Sequence, residues 1–503
     1  MKSLIKNTAV NIAAFGVVSV GNLLLIPLIV HHYGLREFGL IVVARLLLPT
    51  GFLAMFDFGL SEATTRYVAS ARAQDDWAQA GRVFGLALSI IIVVALILAT
   101  TIGVGAETLT LHGFGLEAAK AEDFATLVRW TSLGLLVIFP GVICEATLKG
   151  MERFDLVRAG EVLAFLCYAG ATLTAIWFDL PYTIVALAFL ATICLRFCGF
   201  LLLLFSPSMP IKPALLQINR AEAMEVLRLA AAVWQGKIIS TLFNHSAPLI
   251  ILRFVGPAGV GAFDLLMRLP RFSKNLYGLI NSAVLPTSAA LEAKGDKIAM
   301  KRLLLTGTTL AVLLFLPPLL GGAVYSGKIL TQWLGSEYVA MAPWLSVPFV
   351  WVAMISFYGV GATMLLARRR VLRLLNRVAI LQLALFFVVG LAGLNGLGER
   401  AFILAILVST ALVLPLNIYL ICRAYDVEFL AYAGMIFRFS VSSLAAVAWF
   451  IGFDNLIWPD TLAGLLFEFG TWCVIYWSTA YLFALSKDER RSLHKAFAVL
   501  RQT

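Results

Sequence analysis

Apolar runs of roughly twenty residues recur from one end of this chain to the other, separated by short basic segments. A hydrocarbon layer ~30 Å thick is crossed by about 20 apolar residues in a helix. That pattern dictates an all-α, polytopic membrane protein, since a membrane β-barrel would show short alternating segments instead. Composition agrees: 13% of the residues are charged, against roughly 25% in an average globular chain. The first run, from about Thr8 to Val30, follows Lys2 and Lys6. It exceeds the apolar core of a cleavable leader and ends without a small-residue cleavage site, so it is read as a spanning helix.

Hydropathy marks fourteen candidate spans, the second near 39–60, the seventh near 229–252 and the eighth near 258–284. An even number puts both termini on one side. That side carries 27 of the 39 lysines and arginines, the other side carries 6, and 6 fall within spans. The positive-inside rule then assigns both termini to the cytoplasm. The same bias accounts for the net charge of +11 without a nucleic-acid partner. All six cysteines, Cys144, Cys167, Cys194, Cys198, Cys422 and Cys473, fall within spans and read as small packing residues. Neither a phosphate loop, an HExxH helix, a nucleophile elbow nor a CxxC pair occurs, so the sequence offers no enzyme motif, cofactor site or metal site.

The chain also repeats itself. "PLIVHHYGLREFG" from Pro27 matches "PLIILRFVGPAGVG" from Pro248, so that Gly34 pairs with Gly256 and Gly39 with Gly261 at an offset of 222. An even number of spans separates the copies, which makes them parallel repeats. The expected organisation is an N-lobe of six helices over 1–205 and an amphipathic cytoplasmic linker over 206–228. A C-lobe of six helices over 229–425, two additional spans over 426–486 and a cytoplasmic tail over 487–503 complete it. Paired lobes of this kind suggest a transporter with its site near mid-membrane at the repeat interface.

Ionisable residues inside spans test that idea, because each costs ~2.5–3.5 kcal/mol at a helix centre. Snorkelling to headgroups explains Arg253 and Lys274, and serves for Arg196. Asp264 and Arg268, at i and i+4, can neutralise one another. Those explanations leave a surplus of cations. Asp264, Arg268, Arg271 and Asn275 form one stripe at i, i+4, i+7 and i+11, and one acid cannot neutralise two arginines. Neither Arg45 nor Lys237 has an acid nearby in its span, and Arg45 falls opposite Met267 in the repeat, one residue from Arg268. Arg45, Lys237, Arg268 and Arg271 are therefore read as lining a cavity for an anionic cargo, arginine being suited to phosphate by its planar fork. Asp57, Glu145 and Asp264 are candidates for coupling to a proton or sodium ion. For Asp57 and Glu145 a structural role beside Arg66 or Lys149 competes with that. Pro49 and Pro270 lie beside Arg45 and Arg268 and are read as paired hinges. Glu468, in the last span, is read as an interhelical contact.

"YGLREFGL" at 33–40 followed by "FDFGLSEATTRYVA" at 56–69 resembles the N-terminal signature of the polysaccharide transporter family. These are Wzx-type oligosaccharide flippases of the multidrug/oligosaccharidyl-lipid/polysaccharide (MOP) exporter superfamily. The resemblance implies a V-shaped twelve-helix core with two added helices in a bacterial inner membrane. It implies flipping of a polyprenyl-pyrophosphate-linked oligosaccharide to the periplasmic leaflet for O-antigen, capsule or exopolysaccharide synthesis. A polysaccharide polymerase and a chain-length regulator are the implied partners. The alternatives are a multidrug or cation antiporter of the same superfamily, which a cationic cavity suits poorly, and a membrane-embedded polymerase or ligase, which would need a large outer loop. The orientation is checked by C-terminal reporters: a green fluorescent protein fusion is expected to fluoresce and an alkaline phosphatase fusion to be inactive, and the reverse pattern inverts the topology.

Overall fold

The computed structural model describes residues 2–207, 209–214, 217, 219–366, 368, 371–453, 461–486 and 490. Its regular elements are all helical: α1 (Lys2–Leu46), α2 (Leu60–Ala73), α3 (Trp77–Val104), α4 (Ala106–Thr108), α5 (Ala118–Gly150), α6 (Phe154–Trp177), α7 (Tyr182–Phe205) and α8 (Arg220–Phe254). They continue with α9 (Pro257–Lys294), α10 (Lys297–Val324), α11 (Ser326–Trp333), α12 (Ala342–Ser356), α13 (Gly359–Leu365), α14 (Leu372–Leu397), α15 (Arg400–Ala424), α16 (Phe429–Phe453) and α17 (Leu462–Thr479). The chain divides into two compact units, Met1–Asp264 and Leu265–Thr503. Among the described residues, eleven helices are long and apolar enough to cross a membrane. The first two expected spans account for part of the difference from fourteen, because the first and the opening residues of the second form one continuous stretch, Ala13–Leu46, bent at Gly34. The eighth, α9, is crowded with charge, and the last, α17, holds Glu468 and several Trp and Tyr residues.

In the first unit α1 turns sharply at Gly34, whose φ of 84° and ψ of 171° no L-residue adopts comfortably. The corresponding corner between α8 and α9 is Gly256, with φ of 102°. After these corners the helices meet. A Cβ at Gly39 would fall 1.9 Å from the Pro257 carbonyl oxygen, and one at Gly261 would fall 2.3 Å from that of Leu35. The contact is reciprocal under the 222-residue offset, 35 with 261 and 39 with 257. Only glycine permits backbones this close, where packing and Cα–H···O contacts hold helices together in place of water-driven association.

The second expected span, 39–60, is not one helix. α1 ends at Leu46, a turn follows through Gly51, residues Phe52–Asp57 form a 3-10 segment, and α2 starts at Leu60. Residues 220–228, expected as part of a separate surface helix, form the first turns of α8, which Asn219 caps by accepting from the Glu222 N–H at 2.8 Å. The expected cytoplasmic tail at 487–503 lies outside the described residues, apart from Arg490.

The second unit shows how the last helices dock. Pro317 and Pro318 sit inside α10, and a proline cannot donate to the carbonyl four residues back. The carbonyl that Pro317 frees is Leu313, and Trp477 of α17 donates to it through Nε1 at 2.9 Å. Trp472 donates to Pro317 O at 2.9 Å, and Tyr432 of α16 donates to Phe357 O at 2.8 Å. Glu468 pairs with Lys328 of α11 at 2.9 Å. The close helix contact is tested by Gly39→Ala: the added methyl is expected to cost about 1–3 kcal/mol or more of stability, since a backbone carbonyl must move. Gly236→Ala, where a Cβ meets nothing within 4 Å, is expected to melt like the parent. Equal melting temperatures in detergent for both variants would contradict the contact.

Candidate functional site

The break between α1 and α2 organises the candidate residues of the first unit. The chain passes through two successive left-handed residues, Phe58 at φ 54° and Gly59 at φ 75°. The first is costly for an aromatic residue and needs compensation from its surroundings. Asp57 supplies part of it. Its carboxylate, 2% exposed, accepts the Gly59 N–H at 2.9 Å and the Ser61 hydroxyl. α8 supplies the rest. Ala230, Trp234 and Lys237 share one face of that helix. The Ala230 carbonyl lies 2.4 Å from where a Gly59 Cβ would be, Trp234 donates to Met55 O at 2.6 Å, and the Trp234 and Phe58 rings meet edge-on at 4.9 Å.

The third residue of that face, Lys237, forms a salt bridge with Asp57 and a second with Glu62 at 3.0 Å. This corrects the reading of Lys237 as a cation with no acid partner. Its carboxylates lie 180 and 175 residues away in sequence. Asp57 is therefore met by Lys237 rather than by Arg66. Two further bonds join α8 to the same region: Arg82 to Glu222 through paired contacts at 3.1 and 3.2 Å, and Tyr67 to Glu225 at 2.9 Å.

Arg45 stands in the last turn of α1, where a cation complements the helix carbonyls. It donates to the Tyr168 hydroxyl. Its guanidinium also lies over two rings, 4.9 Å from the centroid of Tyr168 and 4.3 Å from that of Phe189. Hydropathy gave no sign of this aromatic box, because both rings belong to ordinary apolar stretches of α6 and α7. Glu145 has the Lys149 partner that its i,i+4 spacing suggests, at 2.6 Å, and it also binds Arg196 of α7. Arg196 is thus a buried ion-pair member and not a snorkelling side chain.

On α9, Asp264 is buried at 4% exposure, while Arg268 and Arg271 are half-buried along the stripe that follows it. Lys274 also departs from the snorkelling expectation, since its ammonium lies 4.9 Å from the centroid of the Trp351 ring. The two prolines differ. Pro49 falls in the turn that ends α1, whereas α9 continues helically past Pro270 to Lys294. The expected pairing of equivalent hinges is therefore asymmetric. Among the described residues, no cluster of three or more His, Cys, Asp and Glu could hold a metal ion.

This helical chain has the fold of the MOP superfamily. It is similar to a lipid II flippase, MurJ, in an inward closed conformation, with a TM-score of 0.72 at 12% identity, covering 95% of this chain and 98% of the other. A multidrug resistance MATE family transporter of the MOP superfamily, inward-facing, gives 0.69 at 14% identity over 83% and 98%. A MOP superfamily transporter from Pyrococcus furiosus, described as having a binding pocket of reversed polarity, gives 0.62 at 14% identity over 84% and 96%. The profile of the polysaccharide biosynthesis protein family matches residues 34–343, well over half of the chain, and the chain belongs to that family. None of the curated proteins gives a sequence match.

Lys237 and Asp57 make the most directly testable pair. Removing one member of a buried ion pair strands the other and typically costs about 3–5 kcal/mol. Lys237→Met and Asp57→Asn are each expected to lower the melting temperature, and the double variant to recover most of the loss. Additive losses in this double-mutant cycle would show that the pair does not anchor α8.

Proposed function

We propose that this membrane protein is a flippase that moves an anionic polyprenyl-pyrophosphate-linked oligosaccharide from the cytoplasmic to the periplasmic leaflet by alternating access. It serves surface polysaccharide synthesis in a bacterial inner membrane, with both termini in the cytoplasm. The observation that carries the reading is the presence of arginines within membrane spans in a chain of the polysaccharide biosynthesis family. Arg45 donates to Tyr168 and lies over the Tyr168 and Phe189 rings, and Arg268 and Arg271 follow one another along one stripe of α9. Cations at these depths are kept where negative charge passes. Arginine offers a pyrophosphate two parallel donors, which lysine does not.

In this mechanism Arg45, Arg268 and Arg271 receive the pyrophosphate, and the prenyl tail stays in lipid. Lys237 contributes only when it leaves Asp57 and Glu62. That exchange is where binding would be linked to a proton or sodium ion, with Asp57 as the first candidate carboxylate and Glu145 and Asp264 behind it. Association with a polysaccharide polymerase and a chain-length regulator completes the proposal. No enzymatic step is assigned to the chain.

The test uses the deletion strain of the host. Loss of the protein should leave lipid-linked oligosaccharide on the cytoplasmic leaflet. Arg268→Ala and Arg268→Lys, at normal protein levels, should each lower surface polysaccharide by about tenfold or more, the loss of one charge-assisted contact with phosphate. Full export by Arg268→Ala removes that residue from the mechanism. Periplasmic accumulation of unpolymerised units in the deletion strain would identify a polymerase instead.

A further inference from the structure

The first unit holds a groove that the residues discussed so far do not use. It runs along the seam between α6 and α7, has a volume of about 190 Å³, and is lined by Leu156, Gly160 and Leu163 on one side and Arg196, Gly199 and Leu203 on the other. Its wall is apolar except at Arg196 and Thr192. Two glycines make room for it: a Cβ at Gly199 meets nothing within 4 Å, and Gly160 lets the Phe200 ring and the Arg196 stem lie against the backbone of α6. Leu163 and Leu195 are exposed at 60% and 63%, so the seam faces the membrane hydrocarbon and not the packed interior.

Its length and position are informative. From Leu156 to Cys167 the groove follows α6 for eleven residues, roughly 16 Å at 1.5 Å per residue, about half of the hydrocarbon thickness. It therefore belongs to one leaflet. The end at which α6 starts and α7 stops is the basic one, with Arg153, Arg158 and Lys212. Positive-inside bias makes that the cytoplasmic leaflet.

Arg196 supplies the second, independent observation. Its side chain is 15% exposed and bonds Glu145, while its Nε is buried with no hydrogen-bond partner. Glu145 is also bound by Lys149 at 2.6 Å, so two cations share one carboxylate and a positive charge is left over in an apolar setting. Arg196 sits nine residues, roughly 13 Å, inward from the end of α7 at Phe205. The headgroup of a resting phospholipid lies outside the hydrocarbon layer and does not reach that depth. A lipid phosphate that has left the headgroup plane during translocation does. The inner end of the groove, at Cys167 and Thr192, lies next to Tyr168 and one turn from Phe189, the two rings that hold Arg45.

We infer that the α6–α7 seam is a lateral binding site for the isoprenoid chain of a polyprenyl phosphate, with Arg196 as the first protein contact of its phosphate and Arg45 as the next. This rests on the flippase reading above and adds where the lipid half of the substrate docks. Gly199→Leu places a larger side chain in the groove wall at a position where a Cβ meets nothing within 4 Å. Gly170→Leu, at an exposed position on α6 where a Cβ also meets nothing within 4 Å, serves as the control.

The experiment uses the full chain in nanodiscs and an undecaprenyl phosphate carrying a diazirine on its terminal isoprene. Labelling should map to 156–167 and 192–203. It should fall about tenfold in Gly199→Leu, since the chain must be displaced, and stay unchanged in Gly170→Leu. Arg196→Gln should weaken polyprenyl phosphate about tenfold and leave uncharged polyprenol binding as it was, which a purely structural role for Arg196 does not produce. Wild-type labelling of Gly199→Leu overturns the inference, as does displacement of the probe by equimolar phosphatidylglycerol. The two readings fail separately. Seam labelling in a protein that moves no lipid-linked oligosaccharide removes the flippase reading and leaves the groove. Normal transport and labelling by Gly199→Leu removes the groove and leaves the flippase.

Discussion

A charge inside the hydrocarbon layer has to be met by the protein itself, because no water is there to meet it. In the first unit that constraint centres on Lys237 and Asp57. The carboxylate that receives the ammonium also holds the Gly59 N–H, and so stabilises the left-handed pair Phe58–Gly59 that interrupts the second expected span. The broken helix, the seating of α8 on it and the placement of Glu62 meet at this ion pair, with Trp234 and Ala230 of α8 packed beside it. The same logic recurs where Glu145 gathers Arg196 and Lys149, and in the second unit where Lys328 meets Glu468. Arg45 is seated by two aromatic faces and a hydroxyl, which orient its guanidinium.

The internal repeat shows where symmetry was kept and where it was given up. Gly34 and Gly256 make the same corner, and Gly39 and Gly261 make one reciprocal backbone contact. Beyond that contact the copies diverge. α1 ends one residue after its arginine, whereas α9 carries Arg268 and Arg271 on either side of Pro270 along a continuous helix. One copy thus presents its cation at a helix end and the other along a helix face.

The class of fold was legible because a bilayer leaves few choices: apolar runs of sufficient length become helices, and the Pro–Gly–Gly pattern located the corners. The signature "FDFGLSEATTRYVA" was visible as a motif, but its physical reason was not. Asp57 and Gly59 matter because of Ala230, Trp234 and Lys237, about 170 to 180 residues later, and no periodicity within the span reports such a partner. Lys237 looked unpaired for the same reason. Lys274 and Arg196 were read as snorkelling from their distance to span ends, while the structure gives one an indole ring and the other a glutamate. The fourteen spans overstated continuity at 39–60, since hydropathy measures apolarity and is blind to a left-handed turn.

The central claim is that embedded arginines move a lipid-borne anion across the membrane. Its most direct measurement is made in proteoliposomes that contain the purified protein and a fluorescent lipid-linked oligosaccharide, with a membrane-impermeant quencher reporting the leaflet. The account predicts protein-dependent loss of protected fluorescence for the pyrophosphate-linked lipid, and none above protein-free vesicles for the same glycan on an uncharged polyprenyl carrier. Equal movement of both lipids, or of neither, would contradict it.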